Sequence, residues 1–376
     1  MDRYDVAVVG AGPAGIAAAI YASEGGAKTL LIDKSGFAGG MSTDGMLNVF
    51  CGTASGGLFR EIHDTLTVKK GTHTVYDVEE LREFYFNKLS NSGVRLLFHA
   101  TFSDVELSGD VIDSINLQTA NGSINIKAKY FIDATGDGNL AAAAGCPHYL
   151  GRETDGKMQP CTLMVRLGGV DDNKAIYPKF STHPLYQELL RQAVQRGEVP
   201  MPAGHIIIIP EKNSGMVNLN MTNSIGINGT DAWDRTRAEI ICRSQVQPLL
   251  RFIRQHLPGY ENAFVLQVGQ YTGVRESRHF EGEYVLNETD IKEGRVFDDW
   301  CVTHARYLFG IHNMNGSGVD KTDAPADKEY TIPYRSLLPK KVSNLLLSGR
   351  CISGTHMAHS SYRVMPICMG TGQAAG

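Results

Sequence analysis

The stretch YDVAVVGAGPAGIAAAIYASEGGAKTLLID, which occupies residues 4–33, decides the fold of this chain. Its first part, Tyr4–Val9, is a short apolar run of the length expected for a buried parallel strand. A glycine-rich turn follows, then an alanine-rich helix over Pro13–Glu24 and a second strand over Thr29–Ile32. This order of strand, turn, helix and strand predicts the first unit of an α/β fold built on a parallel sheet.

The glycines of the turn follow the pattern G-x-G-x-x-G, and each meets a different physical demand. Gly10 permits the tight turn, Gly12 lets the backbone approach a pyrophosphate, and Gly15 lets the helix pack closely on the strand. Pro13 loses no hydrogen bond in a first helical turn, and the free amides of that turn attract a diphosphate. Asp33, about 20 residues further on, can accept from ribose hydroxyls. The alternative, a glycine-rich turn in an ordinary α/β protein, leaves this combination unexplained, so the sequence predicts a dinucleotide-binding unit.

The residues after Asp33 distinguish between the dinucleotides. Nicotinamide and flavin enzymes share the first unit, but Gly36-Phe-Ala-Gly-Gly-Met-Ser-Thr continues it here. Gly39 and Gly40 look like the flavoprotein segment that passes alongside the pyrophosphate and ribityl chain. The alternative for this pair of glycines alone is a flexible loop. In its context the pair favours flavin.

Composition excludes several classes of partner and chemistry. The chain has 376 residues, of which 42% are hydrophobic and 20% charged, so it can bury a large core in two lobes. Its formal net charge is −4 and no basic stripe is present, which argues against nucleic acid. No apolar segment approaches the roughly 20 residues that span a bilayer, and we expect no secretory signal before the first strand. Seven cysteines without close pairing favour a reducing cytosol and argue against an active dithiol or a cysteine-ligated iron–sulfur cluster.

The segment after residue 100 predicts a β-meander inserted into the parallel sheet. Alternating apolar residues and turns at Gly109-Asp110 and Asn121-Gly122 indicate three strands, over Phe102–Leu107, Val111–Gln118 and Ser123–Ala128. A further strand, Tyr130–Ala134, runs into Thr-Gly-Asp-Gly. An apolar strand that ends in Ala-Thr-Gly is the second landmark of flavoproteins with two dinucleotide folds, and it returns the chain to the first strand.

The middle of the chain predicts a mixed α+β cap that covers the flavin. Strands are expected over Cys161–Leu167 and Phe264–Tyr271, and a long amphipathic helix over Thr230–His256, with Thr230 as its N-cap. A second G-x-G-x-x-G after a strand is absent, so a second nicotinamide-binding domain is not expected. The predicted division is a discontinuous FAD-binding domain over 1–158 and 331–376, and a substrate or cap domain over 159–330.

Taken together, the ordered motifs resemble the FAD-dependent oxidoreductase family, a branch of the glutathione-reductase-like flavoproteins. The resemblance extends over nearly the whole chain. It rests on the glycine-rich turn, Gly39-Gly40-Met41, Phe131-Ile-Asp-Ala-Thr-Gly-Asp-Gly, Gly273-Val-Arg-Glu-Ser-Arg, Gly282-Glu-Tyr, Ile332-Pro-Tyr-Arg-Ser-Leu, Gly349-Arg-Cys-Ile-Ser and Arg363-Val-Met-Pro through Gly372-Gln-Ala-Ala-Gly.

This resemblance and the motifs predict which residues contact FAD. They are Gly10, Gly12, Pro13, Ala14, Gly15, Asp33, Lys34, Gly39, Gly40, Met41, Phe102, Ala134, Thr135, Gly136, Asp137, Gly349, Arg350, Pro366, Gly370 and Gly372. The last three belong to a helix that begins near Met365, and we expect its unpaired amides to face the N1–C2=O edge of the isoalloxazine and to stabilise the anionic reduced flavin. Because this helix ends at Gly376 after about three turns, we also expect the native chain to be longer.

Arg350 departs from the pattern of many flavoproteins of this architecture. They carry an aspartate after the glycine of the last strand, and it binds a ribityl hydroxyl, whereas arginine cannot accept a hydrogen bond. Two partners for Arg350 remain open, the diphosphate and Asp137.

The candidate catalytic residues come from the last loop and from the cap. His356 matches a histidine typical of the family and is the first candidate for the base, while His359 has no such counterpart. Either histidine could instead only hold a backbone carbonyl. Arg363 is a candidate to bind a substrate carboxylate or the flavin O2, with a structural ion pair as its alternative. Glu276 is a second-rank acid or base, because the charges around it read first as a salt-bridge network between the lobes. No zinc spacing is present, and no metal is expected.

The sequence therefore predicts an FAD-dependent oxidoreductase that transfers a hydride between flavin N5 and a small organic substrate. A flavin monooxygenase or halogenase and an electron-transfer flavoprotein subunit are the alternatives. We expect a cytoplasmic enzyme without a nucleic-acid or membrane partner. The sequence leaves its oligomeric state open, with a homodimer as one option.

Overall fold

The computed structural model describes residues 3–178, 183–203, 205–318 and 327–376. Its strands are, in chain order, β1 Arg3–Val9, β2 Thr29–Ile32, β3 Val68–Lys70, β4 His73–Val75, β5 Arg95–Leu97, β6 Thr101–Ser108, β7 Val111–Thr119, β8 Gly122–Asp133, β9 His148–Leu150, β10 Val165–Gly168, β11 Ile208–Pro210, β12 Val217–Leu219, β13 Phe264–Val268, β14 Arg278–Phe280, β15 Trp300–Ala305, β16 Tyr330–Pro333 and β17 Leu345–Leu347. Its α-helices are α1 Pro13–Glu24, α2 Gly57–Leu66, α3 Val78–Asn91, α4 Asn139–Ala143, α5 Pro184–Gln195, α6 Ala232–His256, α7 Glu288–Glu293, α8 His356–Tyr362 and α9 Met365–Ala375. Among the helices of these ranges, none combines the length and the apolar character that crossing a bilayer requires.

A central sheet carries the site, and its strand order is β5-β2-β1-β8-β7-β6, with β17 also paired to β8. The pairs of β1 with β2, β1 with β8, β2 with β5 and β8 with β17 are parallel. Strands β6, β7 and β8 pair antiparallel. The predicted α/β fold, a Rossmann-like parallel sheet with an inserted meander, is therefore confirmed.

Strand β8 joins the meander to the parallel part of the sheet. Its first half pairs with β7, for example Ile126 opposite Ile115, and its second half places Phe131 beside Ala7 of β1 and Leu345 of β17. The sequence prediction of two strands here, Ser123–Ala128 and Tyr130–Ala134, was wrong. Nothing in the intervening Lys129 breaks an extended strand, and the change of partner occurs along one continuous strand.

Helices α1 and α9 pack against each other beside the parallel strands. Nearly all of α1 is buried, because it is rich in alanine on every face. A methyl group added at Gly372 would lie 2.1 Å from the carbonyl oxygen of Ala14, so glycine is what permits this close approach. The predicted terminal small-residue helix is confirmed, and its place is against α1.

The cap has its own antiparallel sheet, ordered β11-β12-β10-β13, and its own hydrophobic core. Helices α5 and α6 contribute Leu190 and Leu249 to that core. The predicted N-cap of α6, Thr230, was wrong, since the Asp231 carboxylate accepts from the amide of Asp234 at 2.9 Å. The Thr230 hydroxyl donates to Asn228 instead.

The chain after residue 277 returns to the first lobe while still inside the predicted cap. Strand β14 pairs with β9, and β15 pairs with β16. Phe280, Val302 and Tyr330 belong to the same hydrophobic cluster as Phe131 of the central sheet. Helix α8 lies where the sequence predicted only a loop, and the side chain of Thr355 caps it by accepting from the amide of Ala358.

Candidate functional site

One continuous cavity lies at the carboxyl ends of the parallel strands, where ligands bind in open α/β sheets. It is bounded by the glycine-rich turn on one side and by the cap on the other. The residues predicted to contact FAD that line it are Gly10, Gly12, Pro13, Ala14, Asp33, Lys34, Gly40, Met41, Phe102, Ala134, Thr135, Gly136, Asp137, Gly349 and Arg350. The cap and the last segment add Thr162, Asn220, Arg235, Tyr271, Arg275, Tyr307, His312, Arg363, Met365 and Cys368.

The three glycines of the turn have different surroundings. A methyl group at Gly10, whose φ is +103°, would lie 2.5 Å from the Ala134 carbonyl oxygen, and one at Gly15 would lie 1.8 Å from the Gly10 carbonyl oxygen. Around Gly12 no atom of the described chain lies within 4 Å of such a methyl group, so its backbone faces open space in the cavity. This is the geometry that a bound pyrophosphate needs, and the turn fits a dinucleotide.

Asp33 is held in place at the edge of the cavity. Its Oδ2 accepts from the Ala11 amide at 2.6 Å, and its Oδ1 accepts from the Ser35 amide at 2.8 Å. A carboxylate has about four acceptor sites, so capacity remains for ribose hydroxyls. The Gly39 amide donates to the Ala11 carbonyl at 2.7 Å, which ties the second glycine segment to the first turn.

Five of the predicted FAD contacts lie outside the lining of the cavity in the described structure: Gly15, Gly39, Pro366, Gly370 and Gly372. Gly15 and Gly372 serve close packing of α1, and a methyl group at Gly370 would lie 3.0 Å from the side chain of Val302. Helix α9 begins at Met365, so Gly370 and Gly372 come too late for its first turn. Met365 and Cys368 are the residues of α9 that reach the cavity.

Arg350 is paired with Asp137, one of the two partners that the sequence left open. Its Nη2 lies 2.6 Å from Asp137 Oδ1, and its Nη1 donates to the Ser277 hydroxyl at 3.1 Å. Burial acts to raise the pKa of Asp137, but Arg350 and the hydroxyl donor Ser277 lower it below the usual value. Asp137 is therefore a carboxylate held by cations, at the point where the cap meets the first lobe.

Of the four predicted catalytic residues, only Arg363 lines the cavity. His356, His359 and Glu276 are each at most 3% exposed and lie behind its wall. The Glu276 carboxylate accepts from His356 Nδ1 at 2.5 Å and from the Gln159 amide at 2.9 Å. These three residues form a buried cluster away from the cavity surface, so the structure gives none of them the contact with substrate that the sequence prediction assumed.

His279 completes this cluster, and sequence reasoning missed it. Its Nε2 lies 2.8 Å from Glu276 Oε1 and its Nδ1 lies 3.0 Å from the Gly354 carbonyl oxygen. Both ring nitrogens therefore face oxygen acceptors, which fix the ring from two sides. Burial raises the pKa of Glu276, but hydrogen bonds from His279 and His356 outweigh burial and lower it. The spacing Glu276-x-x-His279 was the available signal.

Glu276, His279 and His359 also bring metal-ligand atoms within 4.8 Å of one another. Atoms bound to one zinc at about 2.0–2.2 Å in a tetrahedron lie about 3.3 Å apart. The 2.8 Å between Glu276 and His279 is instead a hydrogen-bond distance. Burial and the neighbouring His279 lower the pKa of His359 well below its usual value, so His359 is neutral.

Two arginines stand on the cap side of the cavity. Arg275 donates to the Pro160 carbonyl and the Thr162 hydroxyl, and Arg363 donates to the Gly310 carbonyl at 2.8 Å. The charge network predicted around Glu276 therefore does not include Arg275, and Glu276 instead pairs with His279 and, between the lobes, with His356. The side chains beside these arginines that sequence reasoning also missed as cavity residues are Thr162, Asn220, Tyr307 and His312.

Comparison with known protein families gives one match along nearly the whole chain. A family model described as FAD dependent oxidoreductase matches residues 5–376. The thiamine thiazole synthase of Pyrococcus horikoshii is 33% identical over 151 residues, which cover 37% of this chain and 59% of that protein. The corresponding figures for the thiamine thiazole synthase of Saccharolobus islandicus are 28% over 146 residues, 35% and 54%. The chain thus spans less than two thirds of the length of these curated relatives.

The fold also has a counterpart among solved structures. A geranylgeranyl bacteriochlorophyll reductase-like protein from Thermoplasma acidophilum superposes with a TM-score of 0.54 at 16% identity, over 99% of this chain and 77% of that one. At this identity the likeness concerns the fold alone.

Proposed function

Because the chain belongs to the FAD-dependent oxidoreductase family, we propose that it transfers a hydride between N5 of FAD and a small organic substrate bound beneath the cap. The observation that carries the proposal is that the dinucleotide turn and the polar side chains of the cap line one continuous cavity together. Bound FAD would supply the hydride acceptor or donor. The chain supplies binding, orientation and exclusion of water.

At the nucleotide end, the proposed roles follow from the contacts already described. Asp33 accepts from the adenosine ribose, and the backbone at Gly12 and the N-terminus of α1 hold the pyrophosphate. Arg235 is 3.8 Å from Asp137 and lines the same cavity, so it offers a cation to the phosphates. At the flavin end, the N-terminus of α9 favours negative charge near Met365.

At the substrate end, Tyr307 and His312 replace the buried His356 as our candidates for contact with the reacting group. The nearby Cys51 thiol and burial raise the pKa of Tyr307, so its hydroxyl stays a donor at neutral pH. Burial and Arg275 lower the pKa of His312 well below its usual value, so its ring is neutral and keeps one acceptor nitrogen. Glu276, His279 and His356 then support the cavity wall from behind and do not contact the substrate.

The same contacts support the finer assignments as proposals. The run of β8 into Ala134-Thr-Gly beside β1 supports the glutathione-reductase-like branch. We keep the division into an FAD-binding domain, 1–158 and 331–376, and a cap, 159–330, with one change. The segment from β14 onward shares the core of the FAD-binding domain, so the cap proper ends near Ser277.

Anaerobic reduction of the yellow protein tests the proposal. Purified protein is saturated with FAD, freed of excess, and mixed without oxygen with a panel of alcohols, amines, sugars and acids, and in a second series with NADH and NADPH. We expect bleaching of the flavin band by one chemical class. Rapid oxygen consumption driven by NAD(P)H would instead indicate a monooxygenase or halogenase. Protein that is colourless after incubation with FAD and removal of the excess would contradict the proposal.

A further inference from the structure

Arg275 and Arg363 both line the cavity, and in the described structure every hydrogen bond of their side chains is to a neutral group. Arg275 Nη1 donates to the Pro160 carbonyl at 2.5 Å and to the Thr162 hydroxyl at 2.7 Å, and Nη2 reaches the Asn220 side-chain oxygen at 3.4 Å. No carboxylate oxygen of the described residues lies within ion-pair distance of its guanidinium.

The guanidinium of Arg363 also donates to neutral oxygen atoms. Its Nη2 donates to the Gly310 carbonyl at 2.8 Å and to the Gln159 side-chain oxygen at 3.3 Å. Its Nε is buried and, among the residues that the structure describes, has no hydrogen-bond partner. The neutral contacts hold both guanidinium groups in place but leave their positive charge without a counter-charge.

Two other arginines with mostly buried side chains each pair with an acid. Arg166 lies 2.9 Å from the Glu211 carboxylate, and Arg350 lies 2.6 Å from that of Asp137. Elsewhere, then, the fold provides an acid for a buried guanidinium, as the cost of burying a charge requires. Arg275 and Arg363 are the exceptions: both line the cavity, as Arg350 does, but neither has an acidic partner among the described residues.

Their charges also act on each other. Burial and the proximity of Arg363 lower the pKa of Arg275 to about 9, and burial is also the main cause that lowers the pKa of Arg363. Two close cations in a partly dry wall are stabilised by an anion between or beside them. The pyrophosphate is not that anion, because its binding site is the glycine-rich turn and Arg275 is fixed to cap residues.

We propose that Arg275 and Arg363 bind a carboxylate of the substrate, so that this enzyme acts on small organic acids. The inference rests on the proposed function, since the cavity must also hold FAD. A guanidinium presents parallel N–H donors that match the two oxygens of a carboxylate. Asn220 and Thr162, which fix Arg275, lie beside the anion and add polar contacts to the rest of the molecule.

Titration of the FAD-loaded protein with carboxylates tests this site. The probes are acetate, propanoate, benzoate and succinate, each paired with its amide, at constant ionic strength, and the readout is the shift of the flavin absorption band. We expect at least one acid to give a saturable shift, and its amide to bind at least about 10-fold more weakly. Acids and amides that bind alike, or the absence of any shift by an acid, would overturn the proposal.

Substitution then assigns the binding to the two arginines. Arg275→Gln and Arg363→Gln should each raise the Kd of the acid by about 10- to 100-fold, the loss expected for one charge-assisted contact. Arg251→Gln, at an exposed position of α6 away from the cavity, should leave the Kd unchanged. Wild-type affinity in either cavity variant would remove that arginine from the site.

Arg275→Lys provides a second test in case Arg275→Gln no longer binds FAD. If Arg275→Gln fails to retain FAD, Arg275→Lys keeps the charge but replaces the parallel donors with a point charge, and should weaken the acid about 3- to 10-fold. Unchanged binding there overturns the role of Arg275. If the protein binds FAD but its flavin band does not respond to carboxylates, only the proposed acid site is wrong. If the protein never binds FAD, the proposed function itself is wrong.

Discussion

Arg350 Nη2 lies 2.6 Å from Asp137 Oδ1, so an ion pair joins the turn that follows β17 to the turn after β8 in the wall of the cavity. Many flavoproteins of this architecture carry an acid at the position of Arg350. Here the carboxylate comes from the turn after β8 and is already bound by the arginine and by Ser277. We therefore expect Arg350 to stabilise the wall rather than to accept from the ribityl chain.

Arg350→Met should lower the free energy of unfolding by about 3 kcal/mol, because it leaves the buried Asp137 with only the more distant Arg235, 3.8 Å away, as a cationic partner. Urea denaturation of the FAD-free protein measures this. Arg335→Met, which breaks a largely exposed pair with Asp299, is the matched control and should cost at most about 1 kcal/mol. Equal costs for the two variants would contradict a special role for the buried pair.

The same pair predicts a pH dependence. Since the folded-state pKa of Asp137 is lowered, its contribution to stability is complete above about pH 3.9 and is lost as the pH falls through the lower folded-state value. The difference in unfolding free energy between wild type and Arg350→Met should therefore narrow below about pH 4. A difference that stays constant down to pH 2 would show that the ion pair is not its source.

Gly12→Ala and Gly15→Ala should separate cofactor binding from folding. A methyl group at Gly12 meets no atom of the described protein within 4 Å, and its backbone, φ −74° and ψ −178°, suits alanine. We expect unchanged or slightly higher stability and an FAD affinity at least about 10-fold lower, because the methyl group occupies the space of the pyrophosphate.

At Gly15 the methyl group would lie 1.8 Å from the Gly10 carbonyl oxygen, so alanine there should destabilise the FAD-free protein by about 1–3 kcal/mol. Urea denaturation without FAD and a fluorescence titration with FAD measure the two effects. Equal FAD affinities in Gly12→Ala and wild type would mean that the pyrophosphate does not approach this turn.

Local sequence motifs were sufficient to predict most of the fold and the nucleotide end of the site. Residues 4–33 specify the strand, turn, helix and acid within a single stretch, so short-range pattern was sufficient, and both the α/β fold and the FAD-dependent oxidoreductase family are confirmed. The extent of β8 was not predictable in this way, because its second half is defined by partners in β1 and β17 that are distant along the chain.

The substrate end depended on tertiary contacts that no pattern encodes. Arg275 and Glu276 are adjacent, yet Arg275 faces the cavity and Glu276 faces His279 and His356 behind it. A one-residue difference along an irregular segment reverses which side chain meets the substrate. The same limit applies to His356, since sequence cannot tell a residue that touches the cavity from one that supports its wall.

Glu276→Gln should lower the free energy of unfolding by about 3 kcal/mol, because it replaces a buried carboxylate oxygen that two histidine rings contact with a weaker, neutral acceptor. Since the folded-state pKa of Glu276 is lowered, its contribution is complete above about pH 4.3 and declines as the pH falls below that value. Thermal or urea denaturation between pH 3 and 8 measures both effects. Glu281→Gln, in an exposed pair with Lys340, is the control and should change stability by less than about 1 kcal/mol. If the two variants behave alike at pH 7, the buried Glu276 carboxylate does not stabilise the fold.

Removal of metal should leave the protein unchanged, because Glu276 and His279 already face each other at hydrogen-bond distance within the cluster of Glu276, His279 and His359. The 2.8 Å between Glu276 Oε1 and His279 Nε2 is shorter than the about 3.3 Å that a tetrahedral zinc site requires, and the Gln159 backbone amide already donates to the second carboxylate oxygen. We expect dialysis against EDTA to alter neither the melting temperature nor the flavin spectrum, and added Zn²⁺ to give no stabilisation.

His359→Asn serves as the matched variant, since it removes one ligand atom and would abolish any stabilisation by metal. A melting temperature that falls on chelation, recovers with Zn²⁺ in the wild type and does not recover in His359→Asn would establish a metal site and contradict the hydrogen-bonded cluster.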